Sequence, residues 1–219
     1  MMTFMKSMIL PLTLGTTILF ISGCCIKRIP FLHDNRDMVL FDGSDLDDWQ
    51  RTDFGGKGEV RIDENGSLVL EMGAELSGVH WKGPELPKIG YEVTLQAKRT
   101  MGSDFFCGLT FPFKESHATL ILGGWGGSLI GISSLDDFDA SENETGDAYV
   151  FEDGKWYDVK LRVTEEKLQV WLDDKMVIDS DVEGRKVSMR FGEIEMSVPF
   201  GICTYATTGV IRNLKIKKL

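Results

Sequence analysis

Between residues 91 and 98 the chain reads Tyr91-Glu92-Val93-Thr94-Leu95-Gln96-Ala97-Lys98, an unbroken alternation of apolar and polar side chains. Successive side chains of an extended strand point to opposite faces, so this run predicts a strand with one face in a core and the other in water. Tyr157-Asp158-Val159-Lys160-Leu161-Arg162-Val163 repeats the pattern and puts Tyr157, Val159, Leu161 and Val163 on one side. Leu168, Val170 and Leu172 continue it in the next run, and Leu214 and Ile216 do so near the C-terminus. Turn-forming residues stand between the runs. Asn65-Gly66 separates Glu59–Asp63 from Ser67–Met72 and supplies the positive φ of a tight hairpin. Thr164-Glu165-Glu166-Lys167 and Asp173-Asp174-Lys175 join further strands. Many short strands with regular turns predict two packed antiparallel sheets rather than alternating strands and helices.

The first 23 residues do not share this pattern. Lys6 precedes an apolar run from Ile9 to Ile21 that is interrupted by Pro11, Gly15, Thr16 and Thr17. A membrane span needs ~20 apolar residues, whereas this shorter, broken run fits the centre of a secretory signal peptide. Ile21-Ser22-Gly23-Cys24 then resembles a bacterial lipobox. The resemblance implies that residues 1–23 are removed and that the sulfur of Cys24 carries a diacylglycerol; an ordinary signal peptide or a short anchor helix is the alternative. Residues 24–36 lack periodicity and read as a lipidated tether, which leaves 37–219 as a single β-sandwich domain, a length common for one sandwich. Cys25 follows the anchor in place of the aspartate that commonly retains lipoproteins at the inner membrane. The expected place is the cell envelope, facing outward, with the outer membrane favoured.

Loss of residues 1–23 removes Lys6 and no acid, so the 24 basic residues fall to 23 against 34 acidic ones and the balance moves from -10 to -11. Phosphate binding needs a basic face, so nucleic acid is not an expected partner. By the same balance the acyl chains, rather than charge, are expected to hold the protein on a membrane. Cys107 and Cys203 lie in strand-like runs; an exported protein permits a disulfide between them, and two buried free thiols are the other reading.

Leu40-Phe41-Asp42-Gly43-Ser44-Asp45-Leu46-Asp47-Asp48-Trp49 resembles the opening of the 3-keto-disaccharide hydrolase-like domain family. Trp156-Tyr157-Asp158-Val159, Val170-Trp171-Leu172-Asp173 and Val177-Ile178-Asp179 resemble its middle hairpins, and Gly209 to Lys217 its closing strand. The resemblance covers about residues 38 to 219. It implies an all-β, concanavalin A/laminin-G-like jelly roll of two antiparallel sheets, one of them concave, and cleavage of the glycosidic bond of 3-keto-glycosides. Two departures mark a divergent subgroup. Met101-Gly102-Ser103-Asp104 stands where members carry a Gly-Asn-Ser-Gly-type turn, and the strand around Ile202-Cys203-Thr204-Tyr205 lacks the family's histidine. A fold carries over between relatives more readily than a reaction does, so two other functions stay open: a non-catalytic carbohydrate-binding module and a structural envelope lipoprotein.

The candidate chemistry follows from the substrate. A 3-ketone acidifies the neighbouring carbon, so one base can remove that proton and the glycosidic oxygen leaves by elimination. His117, at the start of the run Ala118–Leu122, is the candidate base, with a satisfied structural histidine as its plain alternative. Two-carboxylate cleavage would instead use a spaced pair, and Asp104, Asp139, Glu142 and Glu144 are candidates, Asp104 otherwise serving as a turn cap. Trp125 lies in Gly123-Gly124-Trp125-Gly126-Gly127, where glycines leave its indole room to stack on a sugar; Phe106 is a second ring, and Asp139 and Asn143 offer polar contacts. Asp136, Asp137, Asp139, Glu142 and Glu144 cluster in a long loop. Such oxygen-rich clusters can hold a divalent metal, calcium or another, although a solvated acidic loop has the same composition. The convergence of His117, Asp104 and the loop acids around Trp125 is what the enzyme reading expects.

Overall fold

The computed structural model describes residues 37–219, so the leader, Cys24 and the tether lie outside the described residues. Fifteen strands follow one another: β1 (Met38–Phe41), β2 (Trp49–Arg51), β3 (Val60–Ile62), β4 (Leu68–Leu70), β5 (Leu76–Trp81), β6 (Tyr91–Gly102), β7 (Cys107–Phe113), β8 (Ser116–Gly123), β9 (Leu129–Ser133), β10 (Asp147–Ala148), β11 (Tyr157–Val163), β12 (Lys167–Leu172), β13 (Lys175–Asp181), β14 (Gly201–Tyr205) and β15 (Thr207–Lys218). The described helical residues are two short turns, Gly124–Gly127 and Glu193–Ser197. One antiparallel sheet runs β13-β12-β11-β6-β15-β4-β3, with β1 sharing the free edge of β15 beside β4; the other runs β10-β9-β8-β7-β14-β5-β2. This is the jelly roll of two stacked sheets.

The first sheet matches the alternation. Along β11 and along β6 as far as Lys98 the apolar positions are buried and the polar ones are half-buried or exposed, whereas Met101 at the end of β6 is exposed. In register, Val159 opposes Leu95 and Leu172, so the buried residues form continuous rows across neighbouring strands. The hairpin at Asn65-Gly66 is wider than a two-residue turn. It spans Asp63 to Ser67, with the Asp63 carboxylate accepting from the backbone N–H of Asn65 and Ser67, and Gly66 at φ 70°.

The second sheet does not alternate in burial. Every residue of β5 and β7 is buried, and so is most of β8 and β14. Its inner face meets the first sheet through Leu109, Phe111, Leu120, Leu122, Ile130 and Ile202. Its outer face is covered in part by a second apolar cluster containing Phe54, Leu76, Phe105, Ile121, Ala140, Ile194 and Cys203. The cover is the segment after β13, which pairs with the β9 end through reciprocal backbone bonds between Ser134 and Ser188 of 2.6 and 3.1 Å. Gly201 lets it approach closely: a Cβ there would sit 2.5 Å from the Ser197 carbonyl oxygen. Cys107 and Cys203 are both buried free thiols. Trp49, in the opening motif, is a core residue whose indole N–H donates to the Leu40 carbonyl at 2.8 Å and whose ring meets Trp81 edge-on at 5.2 Å.

Candidate functional site

The outer face of the second sheet is filled over its centre and open at one end, where β8 leaves the sheet. The chain turns there through Gly123 (φ 84°), Trp125 (φ 48°), Gly126 (φ 86°) and Gly127 (φ 99°). A left-handed tryptophan costs roughly 1–2 kcal/mol against an ordinary conformation, so the surrounding structure must hold it. Gly126 N–H donates to Asp104 Oδ2 at 3.2 Å, and Arg99 Nη1 donates to the Gly127 carbonyl at 3.2 Å. A Cβ on Gly127 would lie 2.7 Å from that guanidinium nitrogen, which explains the glycine. The result is an indole 44% exposed at the rim of the apolar cluster, not inside it.

Asp104 sits in the loop between β6 and β7. Its N–H donates to Thr207 Oγ1 at 2.9 Å, and its Oδ1 accepts from the Phe105 N–H at 2.8 Å. It therefore caps its own turn and braces the Trp125 turn at once. The opposite wall comes from the covering segment. The Arg190 guanidinium lies 5.7 Å from the Trp125 ring centroid and pairs with Asp139, whose carboxylate also accepts from Ser133 Oγ and from the Ala140 N–H. Between these walls is a cleft of ≈ 390 Å³, which Phe105, Tyr205, Phe191, Glu75 and Glu193 also line. That volume is within the range of small-molecule sites.

The structure thus brings Trp125 and Asp104 together in the cleft, with Asp139 directly behind Arg190. The other candidates stand elsewhere. Phe106 is fully buried between the sheets, 4.9 Å from the Phe151 ring, and offers no surface to a ligand. Asn143 spends its side chain inside the loop: its amide donates to the carbonyls of Ile132, Phe138 and Asp139, and its oxygen accepts from Thr145. His117 opposes Pro112 at the far end of β8, and six residues of strand at ~3.3 Å each separate it from Gly123 by about 20 Å. Burial, and then the Lys88 charge, hold its imidazole below the ordinary pKa. Glu144 pairs with Arg185 and accepts from Ser180 Oγ at 3.0 Å, outside the cleft lining. Of the residues expected to converge around Trp125, Asp104 lines the cleft, Asp139 holds Arg190 in its wall, and His117 and Glu144 lie outside its lining.

The acidic loop does not present a metal site. Asp136 and Glu144 pair with Arg185, Asp137 with Lys186 and Asp139 with Arg190, so basic side chains already occupy those carboxylates. Hydrogen bonding from Arg185 is the main cause that holds the Glu144 carboxyl down at about 2. Among the described residues no group of three ligating side chains lies together, and these residues do not fit a bound divalent ion.

Sequence reasoning missed Arg190, Phe191, Tyr205, Glu75 and Glu193. Phe191 carried a signal, a large ring between Arg190 and Gly192 in a polar stretch, and it is 92% exposed. Arg190 carried none, because only the fold brings it to Asp139 and Trp125.

Residues 37–217 match the 3-keto-alpha-glucoside-1,2-lyase-like domain family. The chain belongs to that family. No curated protein matches it in sequence. Among solved structures, the lyase-like domain superposes on the carbohydrate binding module CBM66 from Bacillus subtilis with a TM-score of 0.55 at 15% identity, covering 79% of this chain and 97% of that one. The apo Crh5 transglycosylase gives a TM-score of 0.54 at 11% identity, covering 84% and 83%. A sialidase gives 0.52 at 13% identity, covering 84% of this chain and 18% of the other. At these identities the likeness establishes the fold, a concanavalin A-like jelly roll, and the lyase-like domain's own cleft must supply the chemistry.

Proposed function

We propose that the domain binds carbohydrate in the cleft beside Trp125 and cleaves the glycosidic bond of 3-keto-glycosides there. The observation that carries this is the meeting of an exposed indole, a carboxylate and a guanidinium in one cleft of a domain whose family is named for that chemistry. The indole face supplies a flat apolar wall for a sugar ring. The reaction is an elimination: a base removes the proton on C2, the C1–C2 double bond forms, the C1–O bond breaks, and the aglycone oxygen leaves and is protonated. Asp104 is the proposed base. Each of its oxygens accepts one backbone N–H, and a carboxylate oxygen has a second lone pair. Arg190 would face the negative charge that develops on the ketone oxygen, the kind of preorganised stabilisation that lowers such barriers.

Non-catalytic binding is the second reading, and the double engagement of Asp104 by backbone N–H groups favours it. The deciding experiment incubates the protein with a panel of 3-keto-glucosides and follows released aglycone. Release that Asp104→Asn and Arg190→Gln abolish supports the lyase. Binding without release across the panel selects the binding module. Neither binding nor release removes both and leaves a structural envelope role.

The lipobox-like Ile21-Ser22-Gly23-Cys24 supports a protein cleaved before Cys24, lipidated on it and held facing outward in the envelope, with the outer membrane favoured. The mass of the membrane-extracted protein tests this: it should carry the lipid, and Cys24→Ser should abolish both cleavage and lipid.

A further inference from the structure

The face of the molecule remote from the cleft has a different character. On the outer side of the first sheet, Lys98 and Arg212 lie 4.6 and 4.1 Å from the Trp156 ring centroid, and Lys160 and Arg162 lie 4.0 and 5.4 Å from that of Trp171. These residues come from adjacent strands. Lys160 opposes Trp171 across β11 and β12, and Gln96, two residues before Lys98, opposes Arg212 across β6 and β15. Arg162 pairs with Glu92. Among the described residues, Lys98, Lys160, Arg212 and Lys215 form no ion pair. Of the acids on this face, Asp179 and Asp181 pair with Lys167 and Glu92 with Arg162, while Asp158 accepts from the neutral Gln96 amide at 2.7 Å and keeps its charge, so cations outnumber free carboxylates here.

In a chain with 34 acidic and 24 basic residues, four neighbouring cations without carboxylate partners need a reason. We propose that this face docks on an anionic membrane surface, so that the cleft on the opposite sheet points away from the lipid. The net negative charge does not prevent this. Stacked sheets lie ~10 Å apart, and the Debye length at physiological salt is about 8 Å. The acids of the far side are therefore screened from a surface that touches the near side. The tryptophans already carry two cations each, so what the face offers a partner is positive charge and not an open ring for sugar stacking. The path of the chain agrees. Met38 and Val39 pair with Ile216 and Lys215 at the edge of this sheet, so the N-terminal segment joins the domain beside the basic face. A 13-residue tether reaches at most about 45 Å, which leaves the domain close to any lipid attached at Cys24. That last step rests on the lipid-anchor reading; the charge argument does not.

The test is partitioning of the full chain onto vesicles of phosphatidylcholine alone and of phosphatidylcholine mixed with phosphatidylglycerol, at low and high salt. The anchor contributes equally to both vesicle types, so the difference between them reports the face even if Cys24 carries no lipid. Each basic residue near an anionic surface contributes roughly a fivefold effect, so the triple variant Lys98→Gln/Lys160→Gln/Arg212→Gln is expected to lose about 100-fold of the preference for anionic vesicles. The charge-keeping pair Lys98→Arg/Lys160→Arg should retain it, which separates loss of charge from loss of fold. Equal partitioning of the wild type onto both vesicle types overturns the proposal. So does binding to soluble polygalacturonate with no vesicle preference, which would assign the face to an anionic polysaccharide.

Discussion

Trp125→Gly separates a ligand-binding role for the indole from a structural one, because the two readings give different pairs of results. The ring is 44% exposed, and a large aromatic side chain has up to about 250 Å² to bury, so on the order of 100 Å² faces solvent. A sugar ring stacked on one face covers roughly half of that, and at ~25 cal/mol per Å² this is about 1.3 kcal/mol, or roughly tenfold in affinity. Stability is expected to fall, because the remaining roughly 140 Å² of the side chain is buried and its removal costs about 3.5 kcal/mol at ~25 cal/mol per Å². Glycine removes about 1 kcal/mol of left-handed strain at φ 48°. It adds ~0.5–1 kcal/mol of chain entropy to the unfolded state and forfeits ~0.5 kcal/mol of contact with Arg190. The sum is a loss of roughly 3–4 kcal/mol. Titration calorimetry with a 3-keto-glucoside and urea denaturation measure the two quantities on one preparation. Unchanged affinity together with that stability loss would show that the indole serves packing alone and refute the assignment.

Three further outcomes follow from the same geometry. His117→Gln should change aglycone release by less than about twofold, since a group some 20 Å along β8 is beyond the reach of a general base; a large loss in a folded variant would reopen that position. Glu144→Gln should cost about 1 kcal/mol at neutral pH, the discounted value of an exposed ion pair. Because the Glu144 pKa is depressed, its contribution is present above the unfolded-state value of 4.5 and fades as pH falls towards about 2, so the wild-type and variant denaturation midpoints should converge across that window; a constant gap would refute the Arg185 pairing. Burial pushes the Cys203 thiol up to about 12 and Cys107 higher still, so alkylation at mildly alkaline pH should proceed only after denaturant is added, and rapid native labelling would show an open sheet.

The parts of the molecule legible in the sequence are those where one residue's environment follows from its neighbours along the chain. β6 and β11 are half in water, so their alternation survives as polarity and reads directly as a strand. β5 and β7 are buried on both faces, and there the alternation is between large apolar residues and small or hydroxyl ones, such as Gly108 and Thr110 beside Leu109. That contrast is weaker and does not reveal a covering segment. Trp125 was legible because glycines around a large ring announce exposure. Arg190 was not, because its meaning lies in Asp139 and Trp125, 51 and 65 residues earlier in the chain. The acidic loop was legible as a loop, but its basic partners Arg185, Lys186 and Arg190 all come from the covering segment, so its chemistry is set by a contact that composition does not encode.

That covering segment shapes the cleft of the jelly roll. In a fold shared with proteins of different activities, function lies in the site rather than in the fold. In this chain the stretch from Ser188 to Phe200 fills its centre through Ile194 and closes down on Gly201. The same stretch carries Arg190 and Phe191 into the wall of the remaining cleft. The cover of the sheet and the wall of the cleft therefore belong to one segment, held at one end by the Ser134–Ser188 backbone pair and at the other by the Ser197–Gly201 contact. Gly201→Ala separates the two ends. A methyl group 2.5 Å from the Ser197 carbonyl must push the segment outward, and the shift is transmitted to Arg190 only if Ser188 to Ser197 moves as a unit. Loss of sugar affinity in that variant with Trp125 unaltered would show that the cover is rigid. Retained affinity at reduced stability would show instead that the Asp139–Arg190 pair fixes the cleft wall on its own.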